Sequence, residues 1–100
     1  MEIRRAVSCD AETIMQITHA AIEAVYPIYY NGSCVEFFLN LHSLGNIKSS
    51  IENDSVFILE ADGKPAATCA FNENHILRLF VLPEFQNMGY GSRLMDYAEK

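Results

Sequence analysis

Leu79-Phe80-Val81-Leu82-Pro83-Glu84-Phe85-Gln86-Asn87-Met88-Gly89-Tyr90-Gly91-Ser92-Arg93-Leu94-Met95 is the stretch that decides the fold of this chain. Apolar residues run up to Pro83, which has no amide to give to a sheet ladder, so a strand ends there. Beyond it, Tyr90, Leu94, Tyr97 and Ala98 recur at helical spacing behind Gly89 and Gly91. A strand therefore runs through a glycine-containing loop into a helix. Helix N-termini present unpaired amides and the positive end of the helix dipole, so such a turn binds phosphate oxygens. Gly89 and Gly91 carry no side chain to hold a pyrophosphate away from those amides. The spacing, Gln-x-x-Gly-x-Gly, is neither the dinucleotide fingerprint nor the P-loop.

Working outward from that stretch, Asn72-Glu73-Asn74 is a turn, and the strand spans His75 to Leu82 with Leu77, Leu79 and Val81 on one face. Val56-Phe57-Ile58-Leu59 is a strand, Asp62-Gly63 a hairpin turn, and Ala66 to Phe71 the returning strand. Ser43 caps a short helix through Ile47 and Ile51, and Ser33 to Leu41 forms another with Phe37, Phe38 and Leu41 inward. Tyr29-Tyr30-Asn31-Gly32 reads as a loop. Ile14, Ile17, Ala21, Ile22 and Val25 form the apolar stripe of a first helix. Asp10 is placed to cap that helix through its first-turn amides, and the Tyr26-Pro27 pair to end it. Ile3 to Val7 reads as an opening strand. The expected fold class is mixed α/β: a strand, two or three helices, a three-stranded antiparallel meander and a last helix.

One hundred residues make one domain, 1–100, and 50% apolar with 20% charged residues is a globular balance. The formal net charge of −6 argues against nucleic acid and anionic membrane as partners and favours cationic ones such as amines. Cys9, Cys34 and Cys69 are odd in number, with no Cys-x-x-Cys pair. They read as reduced thiols of a cytoplasmic protein. The start of the chain lacks the apolar core of a signal peptide, and no run of about 18 apolar residues occurs.

Gln86, Gly89 and Gly91 meet in full the signature of the GCN5-related N-acetyltransferase superfamily: Arg or Gln, two residues, Gly, one residue, then Gly or Ala. Leu79-Phe80-Val81-Leu82-Pro83 matches the strand that precedes the signature in that family. The opening strand, the helices and the Asp-Gly hairpin fit as well, so the chain resembles the family over nearly its whole length. The resemblance implies acetyl-CoA as cosubstrate and a small-molecule or peptide amine as acceptor, with no metal. It assigns the pyrophosphate to the amides of Gln86, Asn87, Met88, Gly89, Tyr90, Gly91 and Ser92. It assigns the pantetheine arm and the thioester carbonyl to the main chain of Phe80, Val81 and Leu82. Leu79 and Val81 side chains read as core.

Acetyl transfer needs an amine that loses its proton, donors for the developing oxyanion and a proton for the leaving thiolate. Histone-type members of the family carry a basic Glu near the start of this strand. His75 holds that place here, and an imidazole could serve as base. The plain structural alternative is that His75 begins a strand after a turn. Glu73 is the second candidate base. Tyr26, Tyr29 and Tyr30 fall where the family places its acceptor-binding helices and loop, and either line the amine pocket or simply pack. The family's general acid is usually a Tyr on a helix after a further strand, so the resemblance makes 1–100 a domain truncated at its C-terminal end. Tyr90 and Tyr97 read as packing residues. His19 and Glu23, at i, i+4, are two ligands and not a metal site; His42, Ser43 and Asp54 form no triad. With the family's next strand missing, the exposed His75–Leu82 edge is expected to pair with a second copy of the chain, be completed by further sequence, or aggregate. Two rivals compete with the enzyme reading: a non-catalytic acyl-CoA-binding or regulatory module, and a structural domain in which Gln86 to Gly91 is only a tight turn.

Overall fold

The computed structural model describes residues 2–72, 75–86 and 88–98. In chain order these form β1 (Glu2–Arg5), a 3-10 turn (Ser8–Asp10), α1 (Ala11–Tyr29), α2 (Gly32–Leu41), α3 (Leu44–Asn53), β2 (Ser55–Ala61), β3 (Lys64–Asn72), β4 (His75–Val81), a second 3-10 turn (Pro83–Phe85) and α4 (Tyr90–Ala98). The strands lie side by side in the order β1-β2-β3-β4, every pair antiparallel. This is the expected mixed α/β architecture, with β1 joined to the meander through pairs such as Ile3 with Leu59. Asp62 (φ 54°) and Gly63 (φ 77°) both take left-handed backbone, which suits the tight β2–β3 hairpin. Ser43 caps α3 by accepting the Asn46 amide, as its sequence position predicts.

Helices cover both faces of the sheet. On one, Ala11 and Ile14 of α1 and Ile47 of α3 bury Val56, Ile58 and Ala70. On the other, Leu94 of α4 packs among Leu59, Ala67, Cys69 and Phe71, with Leu79 and Val81 alongside. β3 lies between the two cores, and Ala66, Ala67, Thr68, Cys69 and Ala70 are all buried. Small side chains there let helices approach from both sides. The one buried hydroxyl in that run, on Thr68, donates to the Phe57 carbonyl at 2.9 Å.

Four expectations need correction. The Asp10 carboxylate does not cap α1: it takes both ends of the Arg4 guanidinium (2.8 and 2.9 Å) and the Val7 amide at 2.8 Å. Arg4 also donates to Glu60 at 3.0 Å, so a bidentate cation outcompetes neutral helix amides for this carboxylate. α1 does not stop before Pro27 but runs through it to Tyr29. The amide that Pro27 lacks would have served the Glu23 carbonyl, and both residues sit on the exposed side, where that carbonyl is open to solvent. Phe37 and Leu41 face outward (62% and 49% exposed), since α2 packs one side only; Phe38 is the ring that turns in, against Tyr26 and Tyr30. Leu77 shares its strand face with Leu79 and Val81 yet stays exposed, while those two pack in the core beside α4. The Asn72-Glu73-Asn74 turn lies mostly outside the described residues.

The Arg4 hydrogen bonds, helped by the Val7 amide and opposed by burial, hold the Asp10 carboxyl below the usual carboxylate range. A depressed folded-state pKa adds stability that is complete above the unfolded value of about 4 and disappears as pH falls through the lower folded one. Asp10→Asn should therefore lose about 1.5–3 kcal/mol at neutral pH, the usual range for hydrogen bonds to charged groups. The gap between variant and wild type should close on acidification below about pH 4. Denaturant titrations over a pH series measure this; a gap that ignores pH would remove the clamp from the account.

Candidate active site

The backbone of β4 has a neighbour on one side only among the described residues. Leu82 donates its amide to Ala66 at 2.8 Å, and the register sets Phe80 against Thr68, Val81 against Ala67 and Leu79 against Cys69. Antiparallel pairs alternate between hydrogen-bonded and non-bonded. The polar groups of Phe80 and Leu82 are thus turned into β3, and those of Leu79 and Val81 toward the open edge. Of the three main-chain positions assigned to the acyl arm, Val81 has the free side. Its carbonyl is partly occupied, accepting the Gln86 side-chain amide at 3.3 Å.

After Val81 the chain turns sharply. The Phe85 amide donates to Leu82 at 2.9 Å and the Gln86 amide to Pro83 at 3.3 Å, closing the 3-10 turn that Pro83 opens. Gly89 has φ +79°, a left-handed backbone that glycine takes without a side-chain clash, and its carbonyl accepts the Arg93 amide to start α4. The amides of Tyr90, Gly91 and Ser92 belong to the first helical turn and have no partner within the helix. A Cβ on Gly89 would meet nothing within 4 Å, so the space beside it is open. Gly91 is different. Its missing Cβ points at Leu79 Cδ2 (3.7 Å) and Val81 Cγ2 (4.0 Å), so its smallness serves helix-to-strand packing and not clearance for a phosphate. Met88 and Ser92 are exposed beside this loop, Tyr90 packs on Phe85, and Asn87 lies outside the described residues.

His75 is exposed at the first position of β4, paired with Asn72. Six residues of strand, roughly 20 Å, separate it from Val81. Glu73 lies outside the described residues. Tyr26 and Tyr30 stack with Phe38 (4.9 and 5.4 Å between ring centres) at the end of α1, while Tyr29 projects outward, 74% exposed. Tyr97 rests on Phe57. Cys69 is buried beneath α4, and burial pushes its thiol up to about 12, so it stays protonated and unreactive.

On the sheet face opposite α4, a polar group appears that the sequence reading passed over. Arg78 of β4 is half-buried, and its Nη2 has no hydrogen-bond partner. His42, between α2 and α3, sits edge-on to Phe80 at 5.2 Å, with Nδ1 buried and unpartnered. Burial, then the charge of Arg78, then His19, drive the His42 imidazole down to about 4, so it is neutral at pH 7. His19 of α1 reaches the His42 carbonyl at 2.9 Å, which fixes this corner. The available signal was Arg78 itself, one cation inside the apolar run from Ile76 to Val81. Among the described residues no three His, Cys, Asp or Glu side chains cluster as metal ligands, and no helix is long and apolar enough to cross a membrane.

A family model described as the acetyltransferase (GNAT) family matches residues 14–100. No curated protein sequence matches the chain. Solved structures do. A GCN5-related N-acetyltransferase from Rhodopseudomonas palustris superposes with a TM-score of 0.90 at 21% identity, over 98% of this chain and 62% of that one. The PaiA N-acetyltransferase from Thermoplasma acidophilum, in complex with coenzyme A, gives 0.85 at 21% identity, over 98% of this chain and 69% of that one. A GNAT family acetyltransferase from Brucella melitensis, in complex with acetyl-CoA, gives 0.66 at 23% identity, over 97% and 64%. The chain thus spans about two thirds of the length of these structures.

The two loop glycines should behave differently. Gly89→Ala forces a Cβ into left-handed backbone and should cost about 1–2 kcal/mol despite the open space around it. Gly91→Ala places its methyl in ordinary contact with Leu79 and Val81 and should stay within about 0.5 kcal/mol of wild type. Gly91→Val overpacks the same contact and should cost about 1–3 kcal/mol. Urea unfolding of the three variants measures the order; Gly91→Ala as damaging as Gly89→Ala would contradict the geometry.

Proposed function

Because the chain belongs to the acetyltransferase (GNAT) family, we propose that it is an N-acetyltransferase, transferring the acetyl group of acetyl-CoA to a primary amine by direct attack on the thioester. The observation that supports this most is the junction of two half-sites. The first-turn amides of α4 open beside Gly89, and the outward peptide groups of Val81 and Leu79 continue from them along the free edge of β4. Phosphate oxygens suit the amides and the helix dipole. An extended amide-bearing arm suits the strand edge, as an added strand would. Acetyl-CoA bound there supplies an activated acyl group.

The remaining chemistry falls to this chain and its substrate. The amine nitrogen forms a bond to the acetyl carbon as the carbon–sulfur bond breaks, the amine gives up a proton, and the thiolate takes one. The resemblance offers His75, then Glu73, to receive the amine proton; with roughly 20 Å of strand between His75 and Val81, His75 could do so only through a relay of several waters, not directly. Tyr26 and Tyr30 are candidates for lining the acceptor approach. In this reading one domain, residues 1–100, carries these parts, and its free cysteines support a cytoplasmic site of action. Pairing of two copies through β4 would use the outward groups of Leu79 and Val81, so it competes with the acyl arm.

Three outcomes are expected. Calorimetry on the intact protein should show stoichiometric CoA binding that Gly89→Ala weakens; no binding by wild type leaves only the structural-domain reading. A thiol-release assay over an amine panel should show turnover, and His75→Ala should lower the rate by about 10²–10⁴-fold at pH 7 with little change in CoA affinity. Binding without turnover would favour the non-catalytic module, and an unchanged rate would remove His75 as base. Light scattering should show any edge-paired dimer dissociating as acetyl-CoA is added; a dimer indifferent to it pairs elsewhere.

A further inference from the structure

We propose that Arg78, with the His42 ring beside it, binds a carboxylate carried by the acceptor, so that the preferred acceptor is an amine bearing a carboxylate, as an amino acid or a short peptide does. This rests on the acetyl-transfer reading above and adds the substrate class to it.

Arg78 is half-buried with Nη2 itself out of solvent, so a ligand meets that atom only when the side chain swings toward the open edge, and a guanidinium withdrawn from water normally has an ion-pair partner. None is present. The described ion pairs both belong to Arg4. Asp54 is the carboxylate whose charge acts on Arg78, but its Oδ2 accepts the Ser50 hydroxyl (2.9 Å) and its Oδ1 the Asn72 side-chain amide (3.0 Å). It bonds those groups and leaves Arg78 Nη2 without a partner. His42 cannot balance the charge. It offers instead a second unpartnered nitrogen, Nδ1, which donates to a carboxylate oxygen in the matching tautomer. One position before His19, the Thr18 hydroxyl is fully buried and also unpartnered. Buried polar groups are ordinarily satisfied, so the unpartnered atoms of Arg78 and His42, whose charges act on one another, mark a place where polar partners are missing.

The position fits a second substrate. Side chains alternate across a strand, so Arg78 and Phe80 face α1 and the α2–α3 junction, while Leu79 and Val81 face α4. The amides proposed for the pyrophosphate lie on the α4 side and the unpartnered cation on the other, with the free edge of β4 between them. An acceptor held at Arg78 would bring its amine to that edge from the side opposite the cofactor. A guanidinium fork matches a planar carboxylate, which favours that group over a cationic acceptor such as a polyamine.

The test is a matched pair of acceptors with the intact wild-type protein: thiol release from acetyl-CoA with an amino acid or dipeptide, and with its C-terminal carboxamide. A preference for the carboxylate of about tenfold or more in kcat/KM is expected, from loss of a charge-assisted hydrogen bond. Equal rates, or a preference for a diamine, would overturn the proposal. Arg78→Gln should bring the ratio to about one by raising KM for the carboxylate, with Arg78→Lys in between; CoA calorimetry on each variant checks its fold, and an unchanged ratio in a folded Arg78→Gln overturns the assignment. Calorimetry of the same dipeptide against the CoA-saturated protein separates the two readings. Dipeptide binding that Arg78→Gln abolishes, without thiol release, supports the carboxylate site and refutes acetyl transfer. No dipeptide binding refutes the site and leaves the transfer reading to its own assay.

Discussion

One constraint governs the site: among the described residues β4 pairs on a single side. In a strand whose residues alternate in both side-chain direction and hydrogen-bond direction, the loss of one neighbour frees every second residue's peptide groups and no others. The Leu82 amide bonded to Ala66 fixes which set is free, and it is Leu79 and Val81. A register shifted by one residue would expose Phe80 and Leu82 instead and turn Arg78 into the α4 core. The cost of burying an unpaired cation there forbids that arrangement.

Neighbouring elements hold that register. β3 is built of small residues through its middle, so α1 and α4 close on the sheet from opposite sides and bury it on both. Gly91 continues the same logic into α4, where the absent side chain lets the helix start rest on Leu79 and Val81. The amides of the first turn are thereby brought beside the outward groups of the same strand. At the other edge of the sheet, Arg4 ties β1 to β2 through Glu60 and to the start of α1 through Asp10. Both ends of the sheet are therefore fixed relative to the helices that cover it.

Much of this was legible in the sequence, and the exceptions share a cause. Pro83, the Asp62-Gly63 turn, Ser43 and the glycines of the loop act through local backbone rules, and their positions set the strand ends, the hairpin, the α3 cap and the start of α4. Asp10 was misread because its partner, Arg4, approaches only when β1 and the 3-10 turn are folded. Pro27 was misread because the consequence of a missing amide depends on whether water can reach the orphaned carbonyl. Phe37 and Leu41 were placed inward by helical spacing, which gives a stripe but not what stands opposite it. Gly91 was credited with clearance for a ligand when its missing Cβ faces Leu79 and Val81. Arg78 and His42 are far apart in the chain, and neither carries a motif. Their lack of partners emerges only once Asp54 is seen bonded to Ser50 and Asn72.

Electrostatics give the two half-sites opposite relations to the rest of the molecule. With a net charge of −6, the protein's field repels a polyanion and attracts an amine. An anionic cofactor must then be held by short-range donors that act at contact and are little felt at a distance, which is what first-turn amides and an open glycine provide. The amine side needs no such local device for attraction, since the whole surface supplies it. What the surface field cannot do is orient the amine, because a diffuse negative potential has no direction within a site. A single half-buried cation can. A zwitterion of the proposed class carries no net charge to be repelled, and would present its ammonium to a negative field and its carboxylate to Arg78 and so arrive in one orientation. Of the amines compatible with the field, those with a carboxylate are the ones this arrangement can align.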